Sequence, residues 1–112
     1  MIESLDARHY RVPLPVPMTD STHGTMTDFA LITVRIRDTD GGEGVGYTYT
    51  TGHNGAAIRS TLAEIGEACT GDDADRIEQA WQKAWWLLHY GGRGGAAVFA
   101  LSAFDMALPA MP

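Results

Sequence analysis

The chain has 112 residues, 45% of them hydrophobic, with 14 acidic against 8 basic side chains; residues 1–112 are therefore expected to form one domain. The formal charge of −6 argues against nucleic acid and anionic membranes as partners, because both require clustered lysine and arginine. Cys69 is the only cysteine, and the first residues lack the apolar stretch of a secretory signal. A reducing, cytoplasmic location is expected, with Cys69 buried in the core.

The first half of the chain predicts an antiparallel sheet. Residues 2–13 have extended character, and residues 29–38 alternate apolar and polar side chains with the period of a half-buried strand. Residues 40–42, Asp-Gly-Gly, follow directly and are typical of a tight hairpin turn, since glycine tolerates positive φ. Residues 43–51 then form the returning strand.

The two faces of this returning strand differ. Gly44 and Gly46 share one face, which indicates that another backbone approaches closely there. Val45, Tyr47 and Tyr49 share the other face, where packing in the core is the default expectation.

Between the first two strands, the sequence predicts a long loop. Pro13, Pro15 and Pro17 make a stiff, non-helical segment. Residues 18–28 are rich in Ser, Thr, Asp and Gly. Residues 15–28 are therefore expected to form an irregular loop, and loops of this length in compact domains are usually functional or disordered.

The second half reads as helices. Asn54 is the expected N-cap of the first helix, Gly71 ends it, and Asp72 or Asp73 is expected to cap the second. The predicted buried stripes comprise Ile58, Leu62, Ile65 and Cys69 in the first helix and Ile77, Trp81, Ala84, Trp85 and Leu88 in the second.

The last predicted helix, which begins near Gly95, has almost no polar side. Between Ala96 and Leu108 only Ser102 and Asp105 interrupt its apolar character. A helix that is apolar all round must be covered all round. Either it lies in the middle of a small domain, or one side packs against something that this chain does not contain.

Strands followed by helices define an α+β fold. Residues 1–52 are expected to form a three-stranded antiparallel β-meander, and residues 53–108 about three α-helices. The sequence has no βα repeat, so no TIM barrel is expected within it.

Four motifs occur in order along the chain: Ile2-Glu3-Ser4-Leu5 with Tyr10-Arg11-Val12-Pro13-Leu14, the hairpin from Asp40 to Tyr47 (DGGEGVGY), Gly71-Asp72-Asp73, and the run from Ala97 to Leu108 (AVFALSAFDMAL). Their order and spacing resemble the N-terminal capping domain of the enolase superfamily, in its mandelate racemase/muconate lactonizing enzyme branch and most of all its acid-sugar dehydratases.

The resemblance implies a two-domain parent enzyme. In that family a barrel domain holds Mg²⁺ through three acidic side chains, and a base such as a Lys-x-Lys pair removes a proton α to a carboxylate, which makes these enzymes lyases or isomerases. This chain has a single lysine, Lys83, and therefore no such pair. We expect no catalytic residues, metal ligands or cofactor in the chain itself, which is predicted to be inactive alone.

The family's capping domain contributes two loops that cover the barrel mouth, exclude water and select the substrate. By position these are residues 15–28 and residues 47–54. Hydroxyl and imidazole groups suit a polyhydroxylated acid, because they pair with its hydroxyl and carboxylate oxygens. The substrate-binding residues that the resemblance implies are Thr22, His23, Gly24, Tyr47, Tyr49, Thr51 and His53.

The last residues depart from the family pattern, because Pro109 follows Leu108 where many members continue toward the barrel. The expectation is a fragment or isolated cap, whose partner is the barrel domain of a parent enzyme. The alternative hypothesis is a stand-alone, non-enzymatic binding or assembly module that forms homodimers through its apolar last helix.

Overall fold

The computed structural model describes residues 1–22, 24–91 and 95–109. In the described residues, three strands precede three helices, and the strands pair antiparallel in the order β1-β2-β3. The predicted α+β fold, a β-meander followed by helices, is confirmed. The elements are β1 (Ile2–Asp20), β2 (Gly24–Asp38), β3 (Glu43–Thr51), α1 (Gly55–Cys69), α2 (Ile77–Leu88), a 3₁₀ turn (His89–Gly91) and α3 (Ala96–Ala107).

The core lies between one face of the sheet and the helices. Period-two alternation turns Ile32, Val34 and Ile36 of β2 toward this side, where all three are fully buried. The predicted stripe of α1 packs in the same cluster. Cys69, its last member, is buried as expected, and this burial raises the pKa of its thiol, as desolvation penalises the thiolate.

The sequence predicted an irregular loop over residues 15–28, and the described residues of this segment differ from that prediction. Residues 15–20 and 24–28 form the far part of a long β-hairpin, in which Met18 pairs with Met26 and Thr19 with Thr25. Prolines are tolerated here because β1 is an edge strand, whose outward N–H groups need no partner. Their effect appears as an interruption of the register between Pro13 and Met18. We call the described residues 15–22 and 24–28 the hairpin arm.

The start of α2 also differs from the prediction. The helix begins at Ile77, so neither Asp72 nor Asp73 caps it. Asp73 instead accepts a hydrogen bond from the backbone N–H of Asp75 at 2.9 Å, which closes a local turn. Asp72 accepts a hydrogen bond from Lys83 at 2.8 Å. Short acidic side chains favoured these turns over the cap.

Helix boundaries elsewhere agree with the sequence. Asn54 occupies the N-cap position of α1, with left-handed backbone (φ 69°) and no capping hydrogen bond from its side chain. Gly71, with φ 92°, follows the end of α1 as predicted. In α2 the predicted buried stripe is only partly covered: Ala84 is fully buried, whereas Trp81 is 36% exposed.

The last helix is covered on one side only. Ala100, Phe104 and Ala107 are fully buried. On the opposite side Phe99 is 41% exposed, and Met106 is 43% exposed. The chain's own strands and helices therefore cover half of this apolar helix, and the other half faces outward.

The N-terminal ammonium donates a 2.6 Å hydrogen bond to the carboxylate of Asp38. This bond lowers the pKa of Asp38 and raises the pKa of the N-terminal amine. The stabilisation of the fold by ionised Asp38 is present above its ordinary pKa near pH 4 and is lost as pH falls through the lowered pKa. The stabilisation by the protonated amine is present below its ordinary pKa near pH 8 and is lost as pH rises through the raised pKa.

We expect the substitution Asp38→Asn to lower Tm slightly between about pH 4 and 8. The fall of Tm toward lower pH and its fall toward higher pH should both be shallower in the variant than in wild type. Thermal melts of wild type and variant between about pH 3 and 10 test this. Glu64→Gln, an exposed carboxylate on α1, is the control and should preserve both limbs. Parallel wild-type and Asp38→Asn profiles would contradict the prediction.

Candidate functional site

An apolar groove of about 930 Å³ runs along β3. Its lining comes from elements far apart in sequence: the hairpin arm, β2, β3 and α3. Phe29 and Tyr49 form an edge-to-face aromatic pair in it, with ring centroids 6.2 Å apart. The lining residues are Leu14, Met18, Met26, Asp28, Phe29, Leu31, Tyr47, Thr48, Tyr49, Thr50, Thr51, Phe99 and Ser102.

Three of the sequence-predicted site residues meet in this groove. Tyr47, Tyr49 and Thr51 are alternate residues of β3 and so share one face of the strand. The expectation that the two tyrosines pack in the core is wrong, because Tyr47 is 53% exposed and Tyr49 is 64% exposed. The physical reason is the opposite face of β3, where Gly46 lies against α3 and leaves the tyrosines on the uncovered side.

The other predicted residues that the structure describes lie outside the lining of the groove. Thr22 is exposed in the turn at the end of the hairpin arm, where its backbone N–H donates to Asp20 at 2.8 Å. Gly24 begins β2 with φ 72°, a left-handed conformation that favours glycine. His53 is exposed between β3 and α1. His23 lies outside the described residues.

The groove also has polar lining residues. Asp28 is the charged residue among the described lining residues, and its carboxylate accepts a hydrogen bond from Arg11 at 3.2 Å. Thr48, Thr50 and Ser102 add hydroxyl groups. Chemically, the groove offers hydroxyl donors and acceptors on an otherwise apolar wall, which suits selection and water exclusion rather than proton transfer.

Sequence reasoning missed the apolar lining of the groove. Phe29 and Leu31 alternate with the buried residues of β2. The two-residue period of a strand therefore predicted that both lie on the face opposite the core. Met18 and Met26 face each other only because the arm is a paired hairpin, which the prolines obscured. Phe99 reaches the groove through tertiary packing of α3.

A second concavity, of about 360 Å³, lies beside the α1–α2 connection. Lys83 and Asp72 pair there at 2.8 Å, and this hydrogen bond raises the pKa of the Lys83 ammonium. Within residues 1–22, 24–91 and 95–109, no three His, Cys, Asp or Glu side chains are grouped to hold a metal ion. The described residues therefore do not fit a magnesium site. In the same part of the chain, no helix is long and apolar enough to cross a membrane.

Two curated proteins are similar to this chain in sequence. The chain is 55% identical over 109 residues to a 3,6-anhydro-alpha-L-galactonate cycloisomerase of Streptomyces coelicolor, covering 96% of the chain and 30% of that protein. It is 35% identical over 102 residues to an L-talarate/galactarate dehydratase of Salmonella typhimurium, covering 87% of the chain and 26% of that protein. The chain thus spans less than a third of the length of either relative.

Solved structures of similar enzymes superpose closely on this chain. A racemase from Streptomyces coelicolor with bound magnesium superposes with a TM-score of 0.88 at 53% identity, covering 96% of this chain and 30% of that one. The Salmonella dehydratase, bound to magnesium and L-lyxarohydroxamate, gives 0.87 at 33% identity, with 96% and 29% covered. The family description "Mandelate racemase / muconate lactonizing enzyme, N-terminal domain" matches residues 4–110. The chain belongs to the mandelate racemase/muconate lactonizing enzyme family of the enolase superfamily, as its N-terminal domain.

Proposed function

We propose that residues 1–112 form a single capping and substrate-specificity domain for a magnesium-dependent acid-sugar dehydratase, racemase or cycloisomerase. The observation that carries the proposal is the groove, which joins the hairpin arm to Tyr47, Tyr49 and Thr51 on an uncovered face. Both curated relatives are named for sugar acids. The proposed location is the cytoplasm, for which the acidic charge and single cysteine argue.

In this proposal the chain selects substrate and excludes water, while the chemistry belongs to a barrel domain. The apolar lining of the groove displaces solvent around a bound ligand, which strengthens polar contacts made there. Threonine, tyrosine and histidine side chains of the hairpin arm and residues 47–54 then pair with sugar hydroxyl and carboxylate oxygens. The magnesium bound by the Streptomyces racemase is assigned in this proposal to the barrel domain.

A domain exchange tests this function. The first third of the Streptomyces coelicolor cycloisomerase is replaced by this chain, which is 55% identical to it. We expect the chimera to turn over a sugar acid with magnesium and this chain alone to show no turnover. Turnover by this chain alone that EDTA abolishes, or a folded chimera without turnover, would contradict the proposal.

Within the active chimera, His53→Ala is expected to lower kcat/KM about fivefold, because one hydrogen bond to substrate contributes about 1 kcal/mol. Glu64→Gln, exposed on α1 and outside both segments 15–28 and 47–54, is the matched control. Unchanged kinetics for His53→Ala together with Thr22→Ala and Thr51→Ala would remove these residues from the proposed site.

The second candidate function is a stand-alone module that forms homodimers through α3. The outward apolar stripe of that helix, with Val98, Phe99 and Met106 between 41% and 45% exposed, is the observation that favours it. Sedimentation of this chain distinguishes the two. A dimer with one cooperative melt supports the module, whereas a monomer that binds ANS supports a cap whose partner is a barrel domain.

A further inference from the structure

Asp28 lies where the hairpin arm joins the sheet, and it contacts the neighbouring strand. Its Oδ2 accepts a hydrogen bond from Nη1 of Arg11 on β1 at 3.2 Å. Beyond this level the register of β1 and β2 is interrupted between Pro13 and Met18. The Arg11–Asp28 pair is therefore the last side-chain link between these strands before the interruption.

Asp28 also lies against the segment that follows β3. Phe29 pairs with Thr51, so continuation of this register places Gly52 opposite Asp28. A Cβ atom built on Gly52 would lie 2.8 Å from Oδ1 of Asp28, closer than a real carbon atom approaches an oxygen. The carboxylate of Asp28 thus occupies the space that a side chain at position 52 would need.

One carboxylate oxygen of Asp28 therefore bonds to β1, and the other lies beside the backbone of Gly52, the residue that follows β3. The Asp28 side chain is 24% exposed and that of Arg11 is 69% exposed, so only the carboxylate end of the ion pair is shielded from solvent. The hairpin arm extends beyond this level, and Gly52 lies at this level on the β3 side of Asp28. A substitution at Asp28 is therefore expected to affect both the hairpin arm and residues 47–54.

We propose that Asp28 is a positioning residue that fixes the hairpin arm relative to residues 47–54, so that the two segments close on a ligand as one unit. The ligand part of this inference rests on the proposed function. The inference that the two segments are coupled is independent of the ligand and is argued from Arg11, Asp28 and Gly52.

Hydrogen–deuterium exchange on the full 112-residue chain tests the coupling. In Gly52→Ala the new methyl group displaces the carboxylate from Arg11, and we expect exchange in residues 15–22 to rise about threefold to tenfold, as the loss of one hydrogen bond of about 1 kcal/mol implies. Asp28→Ala should speed exchange in residues 15–22 and 47–54 together. Tm should change little in both variants, since both contacts lie outside the buried core.

The double variant Asp28→Ala/Gly52→Ala makes the test specific. Without the carboxylate the methyl group has nothing to displace, so the double variant should exchange like Asp28→Ala alone. Asp28→Asn, which keeps the shape but loses the charge, should fall between wild type and Asp28→Ala. Asp6→Ala removes the comparable exposed pair with Arg8 at 2.9 Å and should leave both segments unchanged.

Additive effects in the double variant, a rise confined to one segment, or a uniform rise with a large fall in Tm would each overturn the inference. A chimera without turnover, combined with coupled exchange, would reject the proposed function and leave the coupling intact. An active chimera with uncoupled exchange would reject the coupling alone.

Discussion

Phe104→Ala is expected to destabilise the chain by about 3–5 kcal/mol, because a fully buried phenylalanine leaves a cavity as well as a lost transfer free energy. A domain of this size has about 6–17 kcal/mol of total stability, so the loss brings the variant toward its unfolding threshold. The free energy of unfolding from urea titration, with the m-value held in common, measures the effect.

Phe99→Ala is the matched control, since both residues are phenylalanines of α3. Phe99 is 41% exposed on the outward side, so its truncation should cost about 1 kcal/mol. A comparable cost at the two positions would mean that something in solution covers the outward side of α3, as a second copy of the chain would. That outcome would favour the homodimeric module over the capping domain.

Gly46→Ala is expected to cost about 3 kcal/mol, at the upper end of typical overpacking penalties. A Cβ atom at this position would collide with the carbonyl oxygen of Ala103 and lie 3.0 Å from the backbone nitrogen of Ala107. Both are backbone atoms of α3, so no side chain can rotate away. Either β3 or α3 must shift, and the groove along β3 should change with it.

Gly91→Ala provides the control for this substitution. Gly91 is exposed in the 3₁₀ turn, and a Cβ atom built there meets no heavy atom within 4 Å. Its effect on the free energy of unfolding should stay within about 0.5 kcal/mol. Equal losses at the two glycines would show that contact with α3 is not what makes position 46 sensitive.

The close packing of Gly46 against α3 and the exposure of the tyrosines follow from the same arrangement. Close contact between β3 and α3 requires a residue without a side chain at position 46, and alternation then places Tyr47 and Tyr49 on the opposite face. A substitution at Gly46 is therefore expected to disturb both stability and the groove, whereas Phe104→Ala acts on stability alone.

Local patterns in the sequence determined the element types, the α+β order and the close approach at Gly46. Period two in residues 29–38 and helical spacing in α1 each report which residues share a face, and both were confirmed. The ordered motifs were also sufficient to identify the family, because they extend over nearly the whole chain.

Only the tertiary structure decided which faces are covered. Alternation placed Tyr47 and Tyr49 together but could not say on which side the helices pack. Likewise, the prolines of residues 13–17 excluded a helix yet permitted either a loop or an edge strand, and pairing of Met18 with Met26 selected the strand. The groove along β3 depends on both outcomes, since its walls come from segments that meet only after long-range packing.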